Sequence, residues 1–208
     1  GGPRHVEIVR LLVDAGADGF SRRGYTMQDG QRGADLKFEN VRVGPELVFG
    51  DAENGLPVLR QVADAGIAAL CAEAIGVMDV MRELTVDYIK TRQQFGLPIG
   101  AFQALQHAAV DMFVAAEQAR SMAIYGTMMA ESDDADERAR AMHAVKAEIG
   151  RAGRLAGENA IQLHGGVGMT MEYAIGHYFK RMTMIDIALG DHEYHLRALA
   201  EKGGLIEA

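Results

Sequence analysis

The sequence predicts a mainly α fold, a C-terminal antiparallel four-helix bundle preceded by a short β remnant. Three observations carry that expectation. Aromatic residues make up only 6% of the 208 residues, whereas Met (12), Ala, Leu, Glu and Arg, which favour helices, are plentiful. The 25 glycines cluster before Gly55, from Gly96 to Gly100, from Gly150 to Gly157, from Gly165 to Gly168 and near Gly190. Such clusters read as loops between long helices. Apolar residues also recur at three- and four-residue spacing from Leu56 onward.

Residues 1–55 read as the end of a β domain. The stretch from Tyr25 to Gly33 carries an Asp29-Gly30 turn signal between two extended segments. Leu36, Phe38, Val41 and Val43 alternate with polar residues, with a one-residue slip at Asn40 that signals a bulge or bend. Pro45 ends the pattern. The stretch from His5 to Asp18 resembles the second helix and loop of an ankyrin repeat. It occurs once, and a solenoid needs at least ~3 stacked copies. An apolar strand from Val9 to Val13 is the plainer expectation.

Residues 56–208 read as the bundle. A long amphipathic helix starts near Pro57 and runs to Arg92, and Gly96-Leu97-Pro98 breaks the pattern. A second helix spans about 102–131. The polar stretch from Ser132 to Asp136 supplies capping residues for a third, to His164. A short helix between Glu172 and Lys180 and a last one over 191–202 complete the set. Short connections between such helices favour antiparallel neighbours.

Composition excludes several classes. With 49% hydrophobic residues and four prolines, the chain is neither disordered nor collagen-like. A net charge of −8 is the wrong sign for a general nucleic-acid binder. The single cysteine, Cys71, excludes an intramolecular disulfide, fits a reducing cytoplasmic setting and reads as an inert core residue. No apolar run reaches the ~20 residues of a membrane span, and no signal peptide is expected.

Two stretches carry chemistry. From Tyr88 to Gln103, an arginine and an aromatic stand at a helix C-terminus, followed by a glycine-proline turn and a glutamine at the next helix start. Arg92 there serves as a C-terminal cap or as a phosphate clamp with Gln103. From Gln162 to Met169, a glycine-rich segment ends a helix, where the plain expectation is a Schellman-type termination. His164 reads as a packing or hydrogen-bonding histidine. His192 and His195 lie one turn apart, but a bundle metal site needs a second Glu-x-x-His motif, which the sequence lacks, so no metal is expected.

Taken in order, these stretches resemble the C-terminal part of the acyl-CoA dehydrogenase family. The matching segments are Val41-Arg42-Val43, Arg92 to Gln103, Asp111-Met112, Glu117 to Arg120, Gln162 to Gly168, and Lys180-Arg181 leading to Leu189-Gly190-Asp191. The segments Ala69 to Glu73 and Gly176 to Thr183 look most like small subunits of pimeloyl-CoA-type dehydrogenases.

The resemblance implies a flavoprotein oxidoreductase of fatty acid metabolism that acts on an acyl-CoA with FAD and passes electrons to an electron-transfer flavoprotein. FAD would lie between subunits of a homo- or hetero-oligomeric dimer or tetramer. Arg92 and Phe95 match positions that reach a neighbour's FAD, and Gln103 matches one facing its adenosine part. Gln162, Gly165 and Gly166 match the pyrophosphate loop. Asp191 and Glu193 replace the usual Thr and Gln at the adenosine end. The family's base is a carboxylate, for which this sequence has Leu189 at the common position and Gly66 at the rarer one. Asp64 is the nearby alternative, although a solvated helix-start aspartate is the plainer reading. The resemblance therefore leaves the catalytic residue unassigned. It also implies a second role, a non-catalytic small subunit that completes the FAD site of a larger partner. The isolated chain is expected to bind flavin weakly or not at all and to show no turnover.

Overall fold

The computed structural model describes residues 11–50 and 55–203. The chain divides into two compact units between residues 63 and 64.

The first unit is built on a hairpin, β1 (Phe20–Thr26) and β2 (Arg32–Phe38), antiparallel with Phe20 opposite Phe38 and Thr26 opposite Arg32. The Asp29-Gly30 signal lies in the connecting turn, where the Asp29 carboxylate accepts the Gln31 amide at 3.1 Å. Gly30 has φ +85°, a value open to glycine. The slip at Asn40 is a bend, with φ +55° just after β2 ends, so Val41 and Val43 do not continue the strand. Leu11 bridges Val48, and the Leu12 amide donates to Leu47. Leu11 is therefore extended, as a strand requires and a helix forbids. The earlier part of the ankyrin-like stretch, His5 to Arg10, lies outside the described residues. Among the described residues up to 50 none is buried, and Leu36, Phe38 and Phe49 are each more than half exposed.

The second unit, from Asp64 onward, is the bundle, formed by the rest of α1 (Gly55–Thr91) after residue 63, with α2 (Gln103–Met129), α3 (Ala135–His164), α4 (Ala174–Ile187) and α5 (His192–Glu201). Cross-contacts fix the directions. Asp64 near the start of α1 pairs with Arg138 near the start of α3, and Tyr88 near the end of α1 stacks on His164 at the end of α3. Those two helices are thus parallel, and α2 returns between them. Along α3, a side chain on Gly150 would strike Asp186, one on Gly153 would strike Met182, and one on Gly157 would strike Phe179. Rising numbers on α3 meet falling numbers on α4, so α4 is antiparallel to α3. Arg140 of α3 donates to the Lys202 and Gly203 carbonyls, so α5 continues along the same face.

The fourth side of the bundle is therefore two short helices joined by a break at residues 188–191. Two sequence expectations change here. The 150–157 glycines do not form a loop but line one face of α3 at i, i+3, i+7 spacing, which lets α4 pack closely. The short helix expected over 172–180 extends to Ile187. The core is formed by Cys71, Met78 and Met81 of α1, Met112 and Ala119 of α2, Val145 and Ile149 of α3, and Met182 and Ile185 of α4. Asp134 caps α3 by accepting the Asp136 and Glu137 amides.

Candidate functional site

The α1–α2 connection begins where the Arg92 amide closes the last turn of α1 on the Tyr88 carbonyl. A two-residue ladder follows, β3 (Gln93–Gln94) against β4 (Leu97–Pro98), with Gln94 opposite Leu97. The turn residues Phe95 and Gly96 have φ +53° and +78°, the double positive φ of a primed hairpin turn. This hairpin follows directly on the helix end at which Arg92 stands. It lifts the Phe95 ring to 89% exposure, with only an edge contact to Phe102 at 6.0 Å. Arg92 and Gln103, the first residue of α2, are exposed.

At the end of α3, Gly165 adopts φ +61°, ψ −142°, a region open essentially to glycine alone and different from the left-handed Schellman geometry. A Cβ on Gly165 or Gly166 would meet nothing within 4 Å, so the backbone there borders open space. Gln162 is exposed on the last turn of α3. His164 is buried between Tyr88 (ring centroids 4.5 Å apart) and Tyr173 (5.0 Å) and donates from Nδ1 to the Ala160 carbonyl. Burial pushes its pKa down and keeps the ring neutral, as a packing histidine requires.

The Tyr88–His164 stack brings two predicted segments to one end of the bundle. Arg92 follows Tyr88 by one turn, and Gly165 follows His164 directly. Arg92, Phe95, Gln103, Gln162, Gly165 and Gly166 are all solvent-facing. Asp191 and Glu193 lie elsewhere, beside a cavity of about 480 Å³ that Gly153 and Arg154 also line. Gly153 is some 13 Å along α3 from Gln162 at ~1.5 Å per residue. The Asp191 carboxylate is engaged in capping α5, accepting the Tyr194 amide at 2.7 Å, and that bond holds its pKa down. Its negative charge is thus already matched by a helix N-terminus. Glu193 is exposed in the first turn of the same helix.

The two positions at which the resemblance would place a carboxylate face each other. Leu189 sits in the 188–191 break with φ +60° and half its surface exposed, over Gly66 of α1. Neither residue can take up a proton. Asp64 corrects the expectation of a solvated aspartate: it is 8% exposed and held by the Arg138 Nε at 3.1 Å. Arg138 also donates to the Ser132 carbonyl. Asp64 is thus one half of a buried ion pair, which makes it a structural carboxylate rather than a free base.

Sequence reasoning missed a polar group beneath this break. Lys146 is fully buried and donates to the Asp186 and Gly190 carbonyls at 2.6 and 2.8 Å. Burial lowers its pKa, and burial also raises that of neighbouring Cys71 to about 12, leaving an inert thiol. His195 Nε2 lies 3.0 Å from the Leu189 carbonyl, and its Nδ1 lies 2.8 Å from Nδ1 of His143. A carbonyl only accepts, so His195 carries its proton on Nε2 and receives one from His143. His192 Nδ1 donates to Asp186 at 2.8 Å. Among the described residues no group of three or more His, Cys, Asp or Glu could hold a metal ion. No helix among them is long and apolar enough to cross a membrane.

Residues 53–204 match the family model described as acyl-CoA dehydrogenase, C-terminal domain. Mitochondrial isovaleryl-CoA dehydrogenase of Solanum tuberosum is 30% identical over 189 residues, covering 89% of this chain and 45% of that protein. A solved variant of the Tcur3481-Tcur3483 steroid ACAD superposes with a TM-score of 0.81 at 29% identity, over 92% of this chain and 50% of the other. PigA, solved with FAD and proline, has a TM-score of 0.84 at 23% identity, over 93% and 51%, a likeness of fold. The chain spans about half the length of the relatives it matches. With three quarters of its residues matched by the C-terminal domain model and the same bundle in its relatives, this chain belongs to the acyl-CoA dehydrogenase family.

Proposed function

We propose that the chain is the C-terminal portion of a FAD-dependent acyl-CoA dehydrogenase, which introduces a 2,3 double bond into an acyl-CoA thioester and hands electrons to an electron-transfer flavoprotein. The supporting observation is the meeting of the exposed Arg92, Phe95 and Gln103 of the α1–α2 connection with the exposed Gln162, Gly165 and Gly166 at the end of α3. In this reading Arg92, Phe95, Gln103, Gln162, Gly165 and Gly166 hold FAD against another subunit of a dimer or tetramer. Bound FAD supplies the acceptor for the substrate hydride. Arg92 offers the planar donors that suit phosphate or carbonyl oxygens. Phe95 offers an exposed aromatic face, and Gly165-Gly166 let a ligand approach the backbone. Glu193 is suited to accept from a hydroxyl group, while Asp191 is occupied as a cap.

The hairpin without buried residues belongs, in this reading, to the edge of a larger β domain, with 1–55 its end and 56–208 the bundle domain. The unpaired Cys71 supports a cytoplasmic setting, and the family supports a place in fatty acid metabolism.

One observation favours a second reading. Leu189, Gly66 and the ion-paired Asp64 offer no free carboxylate for removing the substrate α-proton. A subunit without a base would complete the FAD site of a longer, catalytic partner. The experiment is purification of the chain alone and with a longer family member, measuring bound flavin absorbance and acyl-CoA oxidation. Flavin and turnover confined to the mixed complex support the second reading. Full flavin and turnover in a homo-oligomer overturn it, and flavin in neither preparation overturns both.

A further inference from the structure

The break between α4 and α5 holds leucine in a backbone conformation that leucine disfavours, and two buried ionisable side chains fasten it from below. Leu189 has φ +60° and Gly190 φ +100°. A left-handed non-glycine residue persists only where its surroundings fix it. Two side chains supply that restraint. Lys146 rises from α3 and binds the Asp186 carbonyl, in the last turn of α4, and the Gly190 carbonyl beyond Leu189. His195 reaches back from α5 to the Leu189 carbonyl itself. Between them they take three carbonyls of a five-residue span. Helix-end carbonyls lack intrahelical partners, so Lys146 also completes the end of α4. A methionine would fill the same space without burying a charge. What Lys146 adds is therefore the pair of hydrogen bonds.

We propose that Lys146 and His195 are positioning residues that together hold the Leu189–Gly190 turn in its left-handed form and keep the Leu189 side chain over Gly66. That this turn borders the acyl-CoA pocket rests on the function proposed above. The lock itself rests only on the geometry. Its purpose is to offset the backbone preference of leucine, so it matters less when residue 189 needs no restraint.

Hydrogen exchange on the whole chain tests this. The reporters are the Ala188 and Gly190 amides, bonded to the Met184 and Ile187 carbonyls, read against Val145 and Ile149 in the α3 core. Lys146→Met and His195→Leu are expected to speed exchange at 188 and 190 about tenfold relative to α3, the scale of a left-handed leucine released. His195→Gln, which keeps a donor at similar reach, restores protection. In a Leu189→Gly background, the effect of Lys146→Met shrinks to about twofold, because glycine tolerates positive φ. Exchange that rises equally throughout the bundle, or rises as much with glycine at 189, overturns the proposal. Should Lys146→Met not fold, the His195 variants complete the same cycle. A second readout, on the flavin-loaded assembly, is the acyl-CoA KM against kcat. A raised KM with unchanged kcat supports the lock facing the substrate. Local exchange without any kinetic change upholds the lock and overturns its placement at the acyl pocket.

Discussion

The Cδ1 atom of Leu189 stands 3.1 Å from the point at which a side chain on Gly66 would begin. The two positions therefore compete for one space. Gly66→Leu is expected to cost about 1–3 kcal/mol through overpacking. Shortening the opposing residue, Leu189→Ala, should recover much of that loss, with a coupling of about 0.5–3 kcal/mol between the sites. Urea unfolding of the two single variants and the double variant measures it. Strictly additive effects would show that the side chains do not share the space.

Asp64 and Arg138 form a second long-range pair, with side chains 12% and 9% exposed. Removing one partner leaves the other charge buried, so Asp64→Ala should destabilise the bundle by about 3–5 kcal/mol. Replacing both, Asp64→Leu with Arg138→Met, should restore most of the stability. Equilibrium unfolding of the three proteins decides this. A cost below about 1 kcal/mol for Asp64→Ala would return this carboxylate to the solvated class.

These pairs show why the sequence was legible only in part. The helices announced themselves through apolar spacing and the Asp134 cap, which are local signals. The length of α4 did not, because Ile175, Thr183, Ile185 and Ile187 favour helix weakly and the helix depends on packing against the glycine face of α3. Asp64 looked solvated because its partner lies 74 residues away. Lys146 carries no mark of burial in its own segment, since its acceptors are carbonyls 40 and 44 residues on. The exposed ligand-facing residues were legible because a connection rich in glycine and proline isolates them from the helical pattern. Their meeting at one end of the bundle became visible only through the Tyr88–His164 stack.

Stability should fall with acidity through His195. Burial lowers its pKa to about 4, and the neighbouring His143 and Lys146 cations act in the same direction against the Leu189 hydrogen bond and Asp191. Above pH ~6.5 the ring is neutral whether the chain is folded or not, and nothing is lost. Between 6.5 and 4 the unfolded chain binds a proton that the folded chain refuses, so stability declines as pH falls, by on the order of 3 kcal/mol at the lower end. His143 and His164, both shifted downward by burial, add to the decline. Urea midpoints at several pH values should drop less steeply for His195→Gln than for the parent. Parallel profiles would assign the acid sensitivity to other groups.

Phe95 separates backbone strain from ligand binding. A phenylalanine at φ +53° in a two-residue turn is disfavoured by about 1–2 kcal/mol relative to a relaxed conformation, and glycine would relieve it. Glycine also loosens the unfolded chain, which opposes the gain by about 0.4–1 kcal/mol. Phe95→Gly should therefore leave stability within about 1 kcal/mol of the parent, because the ring contributes only an edge contact to Phe102. If the ring stacks on flavin in the assembled protein, the same variant loses an aromatic contact of about 0.5–1.5 kcal/mol, up to about tenfold in flavin affinity. Flavin titration beside thermal unfolding reads the two effects separately. Unchanged affinity would mean that the exposed ring serves some surface other than the cofactor. Lost stability with unchanged affinity would mean that the turn is held by its phenylalanine for folding alone.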